Sequence, residues 1–398
     1  MNQFPNLLSE ADELLPEAIR LRRDLHAHPE LGLDLPRTQA AVLAAINGLG
    51  LNVTTGKSLS SVVAILDSGR PGPTVLLRGD MDALPMPEDT GLEFASSVEG
   101  VMHACGHDAH VAMLVGAAHL LRAHDDELRG RVVFMFQPGE EGDHGARFMI
   151  DEGVLEAAGP VDMAFAIHQS PSLPNGMVFT KGGTLLASAD EIFIDVKGRG
   201  GHASMPYQTI DPIPVACEIV LAIQSMVTRK VDVFDPAVVT IAHVTAGTTS
   251  NVIPEVAHIH GTVRTVSART RQLIQDELER LVTGIGDAHG ALATLRVLPG
   301  FPVTVNDEAA AEWTVSVAVD LLGADQVLEM PTPVMGAEDF SYVLENVPGA
   351  MVFLGTCPDD AEFTTAAPNH SNRMVLNETA MAKGIALYAA IALARSSQ

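Results

Sequence analysis

What most restricts the fold of this chain is an alternation of short buried strands with helices that stops near Ser188 and resumes near Phe301. Val62–Leu66, Thr74–Leu77, Arg131–Phe136 and Met163–Ile167 are β-branched or aliphatic runs bounded by turn residues, the mark of buried strands. Ser9–His26, Thr38–Leu49, Val111–Leu121 and Gly145–Ala157 repeat apolar residues every three or four places and are predicted as helices. Such alternation builds an α/β layer on a mixed, largely parallel sheet. Between the two stretches the order is strand Glu191–Val196, helix Asp211–Thr228, strands Val238–Thr245 and Ala257–Thr265, helix Ala268–Gly284 and strand Ala293–Leu298. That β-α-β-β-α-β order predicts a ferredoxin-like α+β sandwich, with both helices on one side of an antiparallel sheet. Helix Ala309–Leu322, strand Ala350–Gly355 and helix Asn377–Ala394 then continue the first pattern. The reading is a large domain in two segments, residues 1–187 and 301–398, with residues 188–300 inserted as a smaller domain.

A length of 398 residues exceeds what one hydrophobic core usually organises, which agrees with two domains. The net charge of −26 argues against nucleic acid and anionic membrane surfaces as partners. Any anionic substrate must therefore meet a local positive site. Met1–Glu17 lacks the basic-then-apolar run of a secretory leader, and no apolar run reads as long enough to cross a bilayer. Cys105, Cys217 and Cys357 have no framework spacing, so reduced thiols and a cytoplasmic setting are expected.

In parallel sheets the working residues gather beyond the carboxyl ends of the strands, where Asp80, Asp82, Glu140, Glu141 and His168 all fall. His103–His110 packs three imidazoles, a thiol and a carboxylate into eight residues just ahead of a predicted helix. Gly106 lets the backbone turn Cys105 and His107 toward one point, and a helix amino end favours thiolate. A metal ion is the obvious occupant. Asp108 reads as a helix cap, and His103 and His110 as neighbours of the ligands. Glu140-Glu141 follows an apolar strand and a Pro-Gly turn, so one carboxylate can bind metal while the other moves protons. These donors suit one or two divalent ions of zinc or manganese character. His119, His124, His243, His258 and His260 read as ordinary surface or core histidines, and no Gly-x-Gly-x-x-Gly follows the first strands to hold a dinucleotide.

Arg78–Pro85, His103–His110, Gln137–Gly142, Gly200–Ser204, Asn251–Pro254 and Gly336–Phe340, in that order, resemble the M20 metallopeptidase family. The branch they most resemble is the amidohydrolases that cleave N-acyl amino acids, including hippurate and auxin–amino acid conjugate hydrolases. The resemblance implies a zinc-peptidase-like catalytic domain, an inserted lid and dimerisation domain, two divalent metal ions (zinc or manganese) and a homodimer. It implies Cys105 as the ligand shared between two metals, and His107, Glu141, His168 and His370 as the remaining ligands. Glu140 resembles the general base. His202 resembles the histidine that reaches the neighbouring subunit's active site and steadies the oxyanion. Asn251 and Arg264 resemble the pair that receives the substrate carboxylate, and a guanidinium suits that task.

Two departures limit this transfer. Asp80-Met81-Asp82 stands where other branches carry His-x-Asp, so Asp80 is not taken as a ligand. Asp82 is expected to hold a ligand's orientation, as metal sites require. Gly142-Asp143-His144-Gly145 puts a histidine beside the catalytic pair, and His144 is left outside the site. The rival readings are a dipeptidase or an N-acetyl-diaminopimelate-type deacetylase, and, more remotely, a non-catalytic metal-binding protein of the same fold.

Overall fold

The computed structural model describes residues 6–396. Chain contacts divide it into two compact units. One comprises the chain up to Leu185 with Val305–Thr332 and everything from Tyr342 on, and the other comprises Leu186–Thr304 with Pro333–Ser341.

The first unit is built on an eight-stranded sheet. Its four middle strands, Arg131–Gln137, Thr74–Asp80, Met163–Ser170 and Gly349–Gly355, are adjacent and parallel. Val62–Asp67 and Asn52–Thr55 extend one side antiparallel, and Val178–Thr180 with Val327–Glu329 completes the other. The α/β expectation is met, with the sheet mixed rather than wholly parallel. Thr74–Asp80 and Gly349–Gly355 are buried along their whole length, which is why Val75–Leu77 and Ala350–Leu354 read as continuous apolar runs instead of alternating.

Helices Leu7–Ala27, His107–Ala123 and Ala380–Ser396 share this core. Small residues set their spacing. A Cβ on Gly116 would meet Ile385 at 2.6 Å, so the middle helix approaches the last one through a bare backbone. The middle helix begins at His107, four residues before the predicted start, with Gly106 in the left-handed region at φ 81 as its leading residue. Asp108 therefore lies in the first turn and is not a cap. Its carboxylate binds Arg22 Nε at 2.9 Å and His26 Nδ1 at 2.8 Å instead. The helix predicted over Gly145–Ala157 ends at Asp151, because Gly153 turns left-handed at φ 91 and a single 3-10 turn, Val154–Glu156, follows.

The second unit has a four-stranded antiparallel sheet in the order Ala237–Ala246, Val256–Thr265, Asp190–Lys197, Leu292–Pro299. Helices Pro212–Lys230 and Ala268–His289 cover one face and bury Ile192, Ile194, Ile219, Ile223, Ile274 and Leu278 between layers. Asp211 and Ser267 cap the two helices by accepting the amides of Ile213 and Thr270. Arg271 clamps Asp190 through two nitrogens, at 2.8 and 2.5 Å, tying a helix to the first strand. One expectation needs correction. Pro212–Lys230 is, by length and composition, apolar enough to cross a membrane, with a mean hydropathy of 1.2. Its buried stripe, Val215, Ala216, Ile219, Ile223 and Met226, belongs to the second unit's core, and core helices pass the same test.

Candidate active site

The four parallel strands of the first unit end side by side, and each end delivers part of one cluster. Thr74–Asp80 leads into Asp82, Arg131–Gln137 into Glu140 and Glu141, and Met163–Ser170 carries His168 near its end. Register places Asp80 opposite Gln137 and His168 opposite Phe353, so these ends are level. The helix His107–Ala123 brings Cys105 and His107 at its amino end, and the loop after Gly349–Gly355 brings Asn369 and His370.

Donor atoms from these residues converge. Cys105, His107 and His168 form one group whose ligand atoms all lie within 4.8 Å of one another; Cys105, Glu141 and His370 form a second; His107, Glu140 and Glu141 form a third. The first two share the Cys105 sulfur. All five sequence-predicted ligands and Glu140 are thereby brought together inside one unit.

Hydrogen bonds behind the ligands fix which ring nitrogen faces the centre. His107 Nδ1 donates to the Asp82 carbonyl at 2.9 Å, and His168 Nδ1 to the Gln169 carbonyl at 2.7 Å. Each Nε2 is thereby turned toward the centre, and that of His168, whose neutral ring keeps its lone pair there, lies 3.5 Å from Cys105 Sγ. Both oxygens of the Asp82 carboxylate accept backbone amides, Oδ1 from Glu140 and Oδ2 from Glu141, each at 2.9 Å. One residue thus orients the His107 ring through its carbonyl and the Glu140-Glu141 turn through its side chain. His110 has no nitrogen to spare: Nδ1 lies 2.5 Å from Asp80 Oδ1, and Nε2 accepts the Gln169 amide at 2.8 Å.

His370 is held differently. It is exposed and takes the left-handed conformation at φ 65, which a non-glycine residue adopts only when its surroundings impose it. Here its amide donates to Ala104 O at 2.8 Å, and the turn sets its Nε2 3.2 Å from Glu141 Oε1.

The fit to a cation rests on two buried atoms, His107 Nε2 and Glu141 Oε1, which make no well-formed hydrogen bond among the described residues and face only charged neighbours, Asp80 at 3.5 Å and His370 at 3.2 Å. An unpartnered buried polar atom is costly, and a metal ion would satisfy both. Protonation in the metal-free protein supports this. Burial pushes the Cys105 thiol up, Glu141 adds to the push, and together they outweigh the helix amino end expected to favour thiolate. Burial opposes charge on His107, yet Asp80 and Cys105 beside it hold its proton. Cys105 and Glu141 raise His370 to about 10. His168 moves the other way, pushed well down by burial and by His110. Protons therefore sit where a cation's charge is wanted, and thiolate, imidazole and carboxylate are zinc- and manganese-type donors.

Asn251, His202 and Arg264 lie in the second unit. His202 pairs with Val252 in a short ribbon, and Ala203 N donates to Asn251 O at 3.1 Å, so Asn251, in the turn just before the ribbon's second strand, sits beside His202. His202 Nδ1 accepts the Ser204 amide at 3.1 Å, which leaves the proton of the neutral ring on an exposed Nε2. Arg264 is half-buried, and burial lowers its pKa; among the described residues its guanidinium has no ion pair. Sequence reasoning overlooked Gln169 and Asn369, each next to a predicted ligand. Their one visible signal was an amide side chain at the end of an apolar strand and another in a short polar turn.

The profile of Peptidase family M20/M25/M40 matches residues 76–394. The chain belongs to this family. Thermostable carboxypeptidase 1 of Saccharolobus solfataricus is 37% identical over 402 residues, covering 100% of both chains. N-acetylcysteine deacetylase of Bacillus subtilis is 40% identical over 343 residues, covering 85% of this chain and 88% of that one. Among solved structures, the Bacillus subtilis YXEP protein, described as a dinuclear metal-binding peptidase of the M20 family, superposes with a TM-score of 0.83 at 35% identity, covering 96% of this chain and 98% of that one. This M20 chain is accordingly a metal-binding hydrolase acting on amide bonds.

Proposed function

We propose that this M20 enzyme hydrolyses the amide bond of N-acyl amino acids at a centre of two divalent metal ions, zinc or manganese. The observation that carries the reading is the pair of three-donor groups sharing Cys105, with Glu140 beside them. Cys105 would bridge, His107 and His168 would complete one side, and Glu141 and His370 the other. Metal held there supplies Lewis acidity, acidifying water and polarising the amide carbonyl. Glu140, 5% exposed and with Oε2 3.9 Å from His107 Nε2, takes the proton of the attacking water and returns it to the departing nitrogen. Asp82 keeps Glu140 and His107 in register for that transfer.

The inserted unit acts as lid and dimerisation domain in this proposal. His202, with its Nε2 proton outward, donates to the oxyanion from a second copy of the chain, while Arg264 and Asn251 receive the substrate carboxylate. A half-buried guanidinium without an ion pair supports the carboxylate role, since a cation removed from water needs an anion. Strand Ala237–Ala246 lies at a sheet edge with Val238 and Val244 exposed, and Phe234 beside it is 93% exposed, which favours a second copy against that edge. Cys105 is a free thiol and must remain reduced to serve as a ligand, in keeping with the cytoplasm.

The relatives named carboxypeptidase and N-acetylcysteine deacetylase point to two acyl groups on the amino acid nitrogen, a peptide and an acetyl. The test is hydrolysis of acetyl-, benzoyl- and indolylacetyl-amino acids beside dipeptides, with manganese or zinc added to metal-free protein. Turnover of acyl conjugates above dipeptides is expected. Faster dipeptide cleavage throughout would overturn the substrate class.

A further inference from the structure

Gln169 is fully buried at the end of a central strand, and every polar group it has is engaged by the site. Its amide nitrogen donates to His110 Nε2 at 2.8 Å, and its carbonyl accepts His168 Nδ1 at 2.7 Å. Its side-chain Nε2 donates to the Cys105 carbonyl at 2.7 Å, and its Oε1 accepts Thr356 Oγ1 at 2.7 Å. Asn369 extends the same contact, with Nδ2 at 3.4 Å from both the Cys105 and Gln169 carbonyls and 3.7 Å from Cys105 Sγ. The Cys105 loop packs closely against this amide. A Cβ on Gly106 would stand 2.4 Å from Gln169 Nε2, and Gly106 has φ 81, so the seat accepts glycine on two independent grounds.

We propose that Gln169 is a positioning residue for the metal centre: through one side chain and one carbonyl it locks the Cys105 thiol and the His168 imidazole at a fixed separation. The inference rests on the reading of Cys105 and His168 as ligands. The two come from parts of the chain more than sixty residues apart, and their donor atoms are 3.5 Å apart. No ligand bonds directly to the other's backbone, whereas Gln169 bonds to both. Thr356, on the neighbouring strand's continuation, sets the rotamer of Gln169 by donating to Oε1, which directs Nε2 at the Cys105 loop. Preorganisation of this kind means that metal need not order the ligands itself.

The full-length protein is stripped of metal and titrated with cobalt(II), reading the thiolate-to-cobalt charge-transfer band, and zinc affinity is measured by chelator competition. Gln169→Leu should weaken metal by about 10- to 100-fold, the range for removing an outer partner of a ligand, and should shift or lose the band. Thr356→Val, which keeps the Gln169–Cys105 bond but frees the rotamer, should lose less in the same direction. A residue serving only general packing would lower the melting temperature and leave band and affinity unchanged. That outcome in Gln169→Leu overturns the proposal; should that variant not fold, the same outcome in Thr356→Val does so. Absence of the band in the unaltered protein would instead remove Cys105 from the ligands, a failure of the underlying reading.

Discussion

The two sides of the Cys105 sulfur are built in opposite ways. On one side His107 and His168 are enclosed, and each Nδ1 is anchored to a backbone carbonyl, so their rings are aimed before any metal arrives. On the other, His370 is exposed on a loop, its backbone held by one hydrogen bond and a left-handed turn and its ring facing the half-buried Glu141 instead of a backbone carbonyl. The first side is prepaid in packing and the second is completed by its ion. On the proposed two-metal reading, the difference would divide affinity from exchange: the enclosed pair would bind tightly and release slowly, while the side with the exposed His370 would bind more weakly and open to solvent and substrate.

The largest expected effect lies between the two sides. Glu140→Gln should lower kcat by roughly 10²- to 10⁴-fold, the contribution of a positioned general base, with metal content unchanged; assay and metal analysis on one preparation decide it. If activity survives, Glu140 is no base. Next, His107→Ala and His370→Ala should separate the sides. Both should lose affinity for one ion, the His107 variant by more than the roughly 100-fold upper range for losing a mere support of a ligand, and the His370 variant by less. Equal losses in chelator competition would remove the distinction drawn here.

A third effect follows from protonation. In metal-free protein His370 is raised to about 10, so at neutral pH binding on its side must displace a proton. Affinity there should climb as pH rises toward 10, and a titration in buffers of different ionisation enthalpy counts the protons released, those of His370 and the Cys105 thiol together. The smallest effect concerns the ground beneath the buried side. Burial opposes charge on His26, but Asp108 and Glu88 bind its two nitrogens and raise it from 6.5 to about 9. A folded-state value above the unfolded one gives stability that is full below 6.5 and is lost as pH rises to about 9. Thermal melts of metal-free protein should show that decline, and His26→Ala should flatten it.

Much of this site could be read from residue order, because strand ends in an α/β sheet are where chemistry collects. Glu140, Glu141 and His168, and the pairing of Cys105 with His107, were proposed by position alone, and the structure brings these donors together. His370 was legible only through the family resemblance, since nothing in Asn-His-Ser discloses a left-handed turn pinned to Ala104. Asp108 was misread as a cap because its partners, Arg22 and His26, lie more than eighty residues away, and long-range ion pairs leave no local pattern. Gln169 was invisible for the same reason: its bonds run to Cys105 and Thr356, on other strands and loops. The order of the four-stranded sandwich was legible because its strand and helix periods are local properties, whereas the short ribbon pairing His202 with Val252 was not.

The central claim is that one sulfur serves both sides. Metal stoichiometry and affinity of Cys105→Ala, beside the His107 and His370 variants, test it most directly. The account predicts that the cysteine variant weakens both binding events while each histidine variant weakens one. Two metals bound with unchanged affinity in Cys105→Ala would contradict it.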